Sequence, residues 1–375
     1  MNMKNVNERL ASLDILRGFD LFMLLMFQPI FMQWLSIKND PSWNGVMRQF
    51  EHTDWHGFTC WDIIMPLFMF MSGITIPFAL SKYKSGVKRI DGAFYWKVGK
   101  RFFILFLLGW IVQGNLLALD PHYFYIYANT LQAIAVGYIV SAILYVHFPI
   151  KTQIVFCTLF FAIYIGVFAV FGYMNFTQGA NISEVIDRAV LGRFRNGIIW
   201  QNGIWRFDDT YHYTWILSSF NFIVTVMLGC FAGYILKRSG EAIRKLKLLL
   251  FIGVILILAG IVMDPVVPII KRIWSSSMTL LSGGICFMLM GLFYYLVDIK
   301  GYRKGIDWLR YYGMNSLFAY CLFEVVKFTS VSDSLLFGLK QWMGIYYSVV
   351  TVCVQAAIVF LIVRWMYRHQ IFIKV

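Results

Sequence analysis

Long apolar segments separated by short basic loops are the feature that most constrains this chain. A helix needs about 20 apolar residues to cross a bilayer, and ten segments come close to or exceed that length. Hydrophobic residues fill 59% of the 375 positions and charged residues only 14%, whereas soluble domains hold roughly 45–50% and 25%. The sequence therefore predicts an all-α polytopic integral membrane protein with a single transmembrane domain, 1–375.

The predicted spans follow one another with few polar residues between them. They are 15–37, 61–80, 102–119, 128–148, 153–173, 215–236, 248–263, 276–297, 313–331 and 344–367. Most of the 33 Lys and Arg residues fall in alternate loops, a bias that marks the cytoplasmic side. Both termini are therefore expected in the cytoplasm, and the longer segments 38–60 and 174–214 on the opposite face. Because the positive charge follows membrane topology, no nucleic-acid partner is predicted.

Two histidines and two aspartates cluster between the first two spans. His52, Asp54 and His56 precede the second span, and Asp62 lies at its start. Titratable groups at a membrane are costly, so their default interpretation is functional. A neutral imidazole can take a proton from an attacking amine or hydroxyl, while a carboxylate on its other nitrogen fixes the tautomer. We therefore predict His52 as a base with Asp54 and Asp62 as candidate orienting carboxylates, and an interfacial structural role as the alternative for His56.

The same cluster is a weak candidate for a metal site. His52 and His56 would share a helical face if the loop were helical there. Their H-x-x-x-H spacing lacks the glutamate of the HExxH zinc motif, and no third ligand lies nearby. No metal is predicted.

A ladder of charges marks the entry to the first span. Asp14, Arg17 and Asp20 are three residues apart in turn, so they lie on one helical face. Such a ladder can pack helices together, or it can hold the phosphates of an anionic cofactor, for which arginine is well suited. In the ninth span, Glu324 and Lys327 are predicted to neutralise each other.

Aromatic rings alternate with charged residues in the predicted outside segment 174–214. Trp200, Trp205 and Tyr211 stand among several Asp and Arg residues. This pattern suits a surface that binds a sugar ring, and it equally suits an aromatic belt at the membrane interface. A smaller patch around His122 is predicted to be structural.

Two longer motifs resemble those of the heparan-α-glucosaminide N-acetyltransferase family and its bacterial relatives. One reads R-x-x-S-x-D-x-x-R-G from Arg9 to Gly18, and the other reads H-x-x-W-x-G-x-x-x-x-D-x-x-x-P from His52 to Pro66. Shorter matches, among them Lys271-Arg272, follow in order along nearly the whole chain. The resemblance implies a transmembrane acyltransferase that carries an acetyl group from cytoplasmic acetyl-CoA to an amino sugar on the opposite side.

The resemblance also implies roles for individual residues. The essential histidine of the family matches His52, and its neighbouring asparagine falls on Gln28, which is predicted as a second catalytic partner beside Asp62. The residues predicted to bind the acetyl-CoA donor are Arg17, Asp14, Asn315 and Trp55. The Gln-Arg pair of the family is Gln132-Ala133 here, so the acceptor can differ from glucosamine.

Three other functions stay open at this stage. The chain could O-acylate a polysaccharide or lipid-linked glycan, transport a sugar with His and Asp as proton relay, or act as an inactive scaffold. The lack of inverted repeats argues against a transporter. The predicted partners are acetyl-CoA, a sugar or glycan acceptor and the lipid bilayer, with a homodimer left open. The predicted location is the bacterial cytoplasmic (inner) membrane.

Overall fold

Helices dominate the computed structural model, which describes residues 10–38, 40–326 and 328–373. The helices are α1 Ala11–Phe22, α2 Gln28–Lys38, α3 Asn44–Gln49, α4 Ile64–Lys84, α5 Gly92–Val112, α6 Thr130–His147, α7 Ile150–Phe171, α8 Ile182–Leu191, α9 Ser218–Lys237, α10 Ala242–Met263, α11 Ser276–Phe293, α12 Leu309–Met314, α13 Ser316–Val325, α14 Phe328–Leu336, α15 Lys340–Met343 and α16 Tyr347–Arg368. Strands β1 Ile198–Gln201 and β2 Ile204–Phe207 form an antiparallel hairpin. The all-α class is confirmed, and the hairpin is the element that the sequence did not predict.

Eight helical segments among the described residues are long and apolar enough to cross a membrane. They coincide with eight of the ten predicted spans, and the chain is an integral membrane protein by this pattern. The predicted span 102–119 corresponds to α5, whose first half carries Lys97, Lys100 and Arg101. The predicted span 313–331 is divided among α12, α13 and α14. The number ten and the cytoplasmic location of the termini stay predictions.

Contacts within the chain define two compact units. The first holds residues up to Trp43, Gly240–Leu250 and residues from Met288 onward, and the second holds Asn44–Ser239 and Phe251–Phe287. The histidine cluster belongs to the second unit, and the charge ladder belongs to the first. The predicted single domain, 1–375, stays a prediction.

In the first unit, α1 and α12 pack with their backbones in contact. A Cβ added at Gly18 would lie 1.9 Å from the carbonyl oxygen of Leu309, and one added at Gly313 would lie 1.8 Å from that of Asp14. Small residues allow such close helix packing in membranes. The Gly that follows Arg17 in the first motif is therefore required by packing.

The first span widens into a π-helical turn at Met23–Phe27, directly before Gln28. Pro29 explains this position, because its ring would collide with the carbonyl of Leu25 four residues earlier. A wider turn relieves the collision and keeps the span continuous. Gln28 thus begins α2 at an irregular point of the helix.

In the second unit, α4 and α9 form the most closely packed pair. A Cβ on Gly73 would lie 1.9 Å from the carbonyl oxygen of Val226, and one on Gly229 would lie 1.9 Å from that of Phe70. The two glycines therefore set the separation between the helices. This packing fixes α4, and Asp62 lies in the 3-10 turn Cys60–Ile63 directly before it.

Candidate active site

Asp62 is held at the start of the α4 span by its own local sequence. The backbone N–H of Thr59 donates to Asp62 Oδ2 at 3.0 Å, which is the carboxylate half of a capping box. The hydroxyl of Thr53 donates to the same oxygen at 3.1 Å. The partial positive charge at a helix N-terminus also favours a carboxylate there. Asp62 is therefore held in one position, and its side chain is fully buried.

His52 contacts the other oxygen of this carboxylate. Its Nδ1 lies 2.9 Å from Asp62 Oδ1, and its side chain is 41% exposed. When Nδ1–H donates to Asp62, Nε2 keeps its lone pair, and Nε2 has no hydrogen-bond partner among the residues that the structure describes. The structure thus brings the predicted base into contact with Asp62, one of its two candidate orienting carboxylates. Their catalytic role stays a prediction.

Lys271 is the third member of the cluster. The sequence did not single it out as a site residue. Its Nζ lies 3.2 Å from Asp62 Oδ1 and 3.0 Å from His52 Nδ1. Its side chain is only 6% exposed, so it is a nearly buried cation next to a buried carboxylate. The only sequence signal was its place in a short family match, and nothing there linked it to His52.

Backbone pairing between two loops brings Lys271 to His52. His56 forms an antiparallel bridge with Ile270, and Gly57 N–H donates to the carbonyl of Ile269 at 2.8 Å. Gly57 has φ +112°, a conformation that favours glycine. The glycine of the second family motif is therefore explained by this loop pairing.

The loop that carries Lys271 is itself anchored to two helices. Tyr164 of α7 donates its hydroxyl to the carbonyl of Ile273 at 3.0 Å. From α9, Ser218 donates to the same carbonyl at 2.9 Å and Asn221 Nδ2 donates to the carbonyl of Trp274 at 2.7 Å. These bonds satisfy buried carbonyls and fix the turn, so Lys271 is held before any ligand binds.

Burial and neighbouring charges shift the titration of this cluster. Partial burial lowers the pKa of His52 below its ordinary value of 6.5; Lys271 and Arg272 lower it further, while Asp62 opposes the shift. Burial lowers the pKa of Lys271 from 10.5 to about 8, again with Asp62 opposing. This lowered pKa favours the neutral imidazole near pH 7, the form that a base requires.

His56 contacts a different carboxylate. Its Nε2 lies 2.9 Å from Asp264 Oδ1, and the pair is exposed. Residues 51–59 contain no helix, so the condition under which His52 and His56 would share a helical face is not met. His56 instead forms the bridge with Ile270. Within the described part of the chain, no group of three or more His, Cys, Asp or Glu side chains could hold a metal.

Trp55 lies in the packing of the second unit. Its indole N–H donates to the carbonyl of Phe176 at 2.9 Å, and its ring packs against a buried apolar cluster that includes Phe176 and Ile270. Trp55 therefore supports the loop between His52 and Gly57. Its predicted contact with an acyl donor stays a prediction.

The remaining predicted site residues belong to the first unit. Arg17 Nη1 lies 3.7 Å from Asp14 Oδ1, so the expected i,i+3 contact is present. Gln28 is half-buried. Asp20 is buried, and neither of its carboxylate oxygens has a hydrogen-bond partner within the described residues. Arg9 and Lys327 lie outside the described residues.

Asn315 is engaged by the C-terminal segment. Its Nδ2 donates to the carbonyl of Ile371 at 2.9 Å, and its Oδ1 accepts from Ile373 N–H at 3.0 Å. These bonds give the buried amide an anchoring role between α13 and the segment after α16. One N–H and one lone pair of the amide remain, and the predicted contact with a donor stays a prediction.

An aromatic cluster forms where two predicted outside loops meet. The ring of His122 stacks on Trp200 with centroids 4.7 Å apart, and Trp200 lies 4.6 Å from Trp205 across the hairpin. His122 Nδ1 also contacts Asp120 at 2.9 Å. The two interpretations, a sugar-binding surface and an interfacial belt, apply to Trp200 and Trp205, and the patch around His122 stays a structural prediction.

The helices and the His52 cluster define a polytopic membrane protein with an imidazole–carboxylate–ammonium site at the end of a span. No family model matches the sequence. The chain is 25% identical to heparan-α-glucosaminide N-acetyltransferase of Homo sapiens and 24% identical to that of Mus musculus, over 85% of its own length in each case. These matches confirm the family resemblance at a distant level: the chain is similar to these acetyltransferases. It spans about half the length of the relatives, 53% and 54%.

Proposed function

We propose that this chain is a transmembrane acetyltransferase that moves an acetyl group from cytoplasmic acetyl-CoA to an amino sugar or glycan on the opposite membrane face. The observation that carries the proposal is the His52–Asp62 contact of 2.9 Å, with the carboxylate buried and the imidazole accessible. The names of both relatives supply the reaction class. The apolar spans would allow the acetyl donor and the acceptor to reach the protein from different faces of the membrane.

The proposed chemistry uses Nε2 of His52. In direct transfer, the acceptor amine attacks the thioester carbonyl, a C–N bond forms, the C–S bond breaks, and Nε2 receives the proton of the amine. In the two-step route, Nε2 attacks the carbonyl and coenzyme A leaves as the thiolate. The amine then attacks the acetyl carbon, a C–N bond forms, and the bond from Nε2 to that carbon breaks, which frees the imidazole. In both routes the thiolate finally takes up the proton that the amine lost. Asp62 stabilises the positive imidazole in either case.

The donor contacts are proposed for the first unit. The guanidinium of Arg17 would bind phosphates of acetyl-CoA, with Asp14 orienting it at 3.7 Å. Gln28 would donate a hydrogen bond to the acyl oxygen as negative charge develops there. Asn315 would contact the donor through its remaining N–H.

The test is transfer of label from radioactive acetyl-CoA to a panel of amino sugars by the purified protein. We expect labelled product from the wild type and a loss of about 10²-fold or more in His52→Ala. His122→Ala is the matched control, because His122 also contacts an aspartate through Nδ1 at 2.9 Å but lies on another loop. Undiminished transfer by His52→Ala would remove His52 from the site.

The same assay separates the alternatives. Label released by hydroxylamine indicates an ester and hence O-acylation, whereas an amide resists it. Sugar uptake into proteoliposomes without transfer indicates a transporter. Failure of the wild type to label any amine or hydroxyl acceptor contradicts the proposal.

A further inference from the structure

His52 is one of three histidines that contact an aspartate in the second unit, and it alone has a lysine in the contact. Lys271 Nζ lies 3.2 Å from Asp62 Oδ1, the same oxygen that His52 Nδ1 approaches at 2.9 Å. The pairs His122–Asp120 and His56–Asp264 have no lysine in their ion-pair contacts among the described residues. Lys271 therefore needs an explanation specific to this site.

A buried carboxylate next to an imidazole has two opposite effects. It accepts the Nδ1 proton and so leaves Nε2 as the basic nitrogen, but its negative charge also favours the imidazolium, which cannot accept a proton. A cation that contacts the same oxygen offsets the negative charge that favours the imidazolium. The carboxylate can still accept the Nδ1 proton. Lys271 Nζ contacts that oxygen and also lies 3.0 Å from His52 Nδ1, where its charge opposes a positive charge on the ring. The loop that carries Lys271 is anchored by Tyr164.

We infer that Lys271 is a positioning residue for His52: it offsets the charge of Asp62, so that the carboxylate orients the imidazole without keeping it protonated. This inference rests on the proposed function of His52 as a base or acyl acceptor. The charged groups that face His52 are Asp62, Lys271 and Arg272. Arg272 is directed elsewhere, with its guanidinium 5.5 Å from the ring of Tyr213, which leaves Lys271 as the cation in contact.

The test measures protonation of His52 without any acyl donor. Diethyl pyrocarbonate modifies neutral imidazoles, so the rate of modification at His52, followed by peptide mass spectrometry between pH 5 and 9, gives its apparent pKa. In Lys271→Met we expect this pKa to rise by about 1–3 pH units. In Lys271→Arg, which keeps the charge, we expect little change.

His122 supplies an internal reference in every sample, because its exposure is nearly equal to that of His52, at 42% and 41%. Its rate of modification at each pH should be the same in all variants. If Lys271→Met does not accumulate as folded protein, Lys271→Gln removes the charge while keeping a hydrogen-bond donor. An unchanged His52 pKa in a neutral variant, with the His122 reference constant, overturns the inference.

Acetyl transfer gives a second readout that a purely structural role would not produce. In Lys271→Met the acid limb of the pH profile should move to higher pH, with activity recovering as the pH is raised. A uniform loss at every pH would instead indicate a structural role and contradict the inference. Since the modification assay needs no turnover, absence of transfer by the wild type would contradict the proposed function alone.

Discussion

At the scale of single residues, burial distinguishes His52–Asp62 from a surface pair. His122 and Asp120 have the same Nδ1–Oδ1 separation of 2.9 Å, yet Asp120 is 39% exposed whereas Asp62 is fully buried. A hydrated carboxylate can turn away and exchange its partner for water. Asp62 is held by Thr53 and Thr59 and cannot turn away. It therefore orients the imidazole and favours the tautomer with the proton on Nδ1.

Replacing this carboxylate by an amide tests its role. In Asp62→Asn the amide N–H would donate to Nδ1, the ring proton would move to Nε2, and the base would be lost. We expect the transfer rate to fall by about 10²-fold or more, with the protein still folded. The matched substitution Asp120→Asn should leave the rate within about twofold. Equal effects of the two variants would show that the Asp62 contact has no special role.

The pH dependence of transfer follows from the sign of the His52 shift. Burial, Lys271 and Arg272 lower the pKa of His52 from 6.5 despite the opposing Asp62. The neutral, reactive form therefore persists to lower pH than for a free histidine. We expect kcat/KM to rise with pH, to reach half its maximum below pH 6.5, and to be level by about pH 7. A midpoint clearly above 6.5 in the wild type would contradict this assignment.

At the scale of elements, the contact between α4 and α9 determines where Asp62 lies. Because a Cβ on Gly229 would come within 1.9 Å of the carbonyl oxygen of Phe70, any side chain must push the helices apart. We expect Gly229→Ala to lower the free energy of unfolding by about 1–3 kcal/mol, measured by thermal or denaturant unfolding in detergent.

Gly166 in α7 is the control for this substitution, since no atom lies within 4 Å of a Cβ placed there. Gly166→Ala should be neutral or raise the free energy of unfolding by roughly 0.5–1 kcal/mol, because alanine favours the helix. If both variants unfold alike, the close approach of α4 and α9 is not a determinant of stability.

Some secondary-structure elements of the site could be predicted from the sequence, and others could not. Asp62 could be placed, because Thr59-x-x-Asp62 before an apolar run is a capping pattern, and the helical class followed from composition. The conformation of the loop around His52 could not be predicted, because it depends on pairing with residues 264–275 rather than on local periodicity. Lys271 is 219 residues from His52 in sequence, and only this pairing brings them together.

At the scale of the whole molecule, the proposal requires that the His52 cluster and the basic loop after α4 lie on opposite membrane faces. Helix α4, Ile64–Lys84, has 21 residues and is about 31 Å long at 1.5 Å per residue. That length matches the apolar core of a bilayer, about 30 Å. The two ends of this single helix therefore report the orientation of the chain.

Cys60 and Ser85 are suitable positions for measuring this orientation, because they flank α4. Cys60 is a free, exposed cysteine on the side of His52, and Ser85 is exposed at the other end. Since positive charge marks the cytoplasmic side, a membrane-impermeant maleimide should label Cys60 in intact cells. In a Cys60→Ser background, Ser85→Cys should be labelled only after permeabilisation. The reverse pattern would place His52 in the cytoplasm, where the acetyl group would not need to cross the membrane.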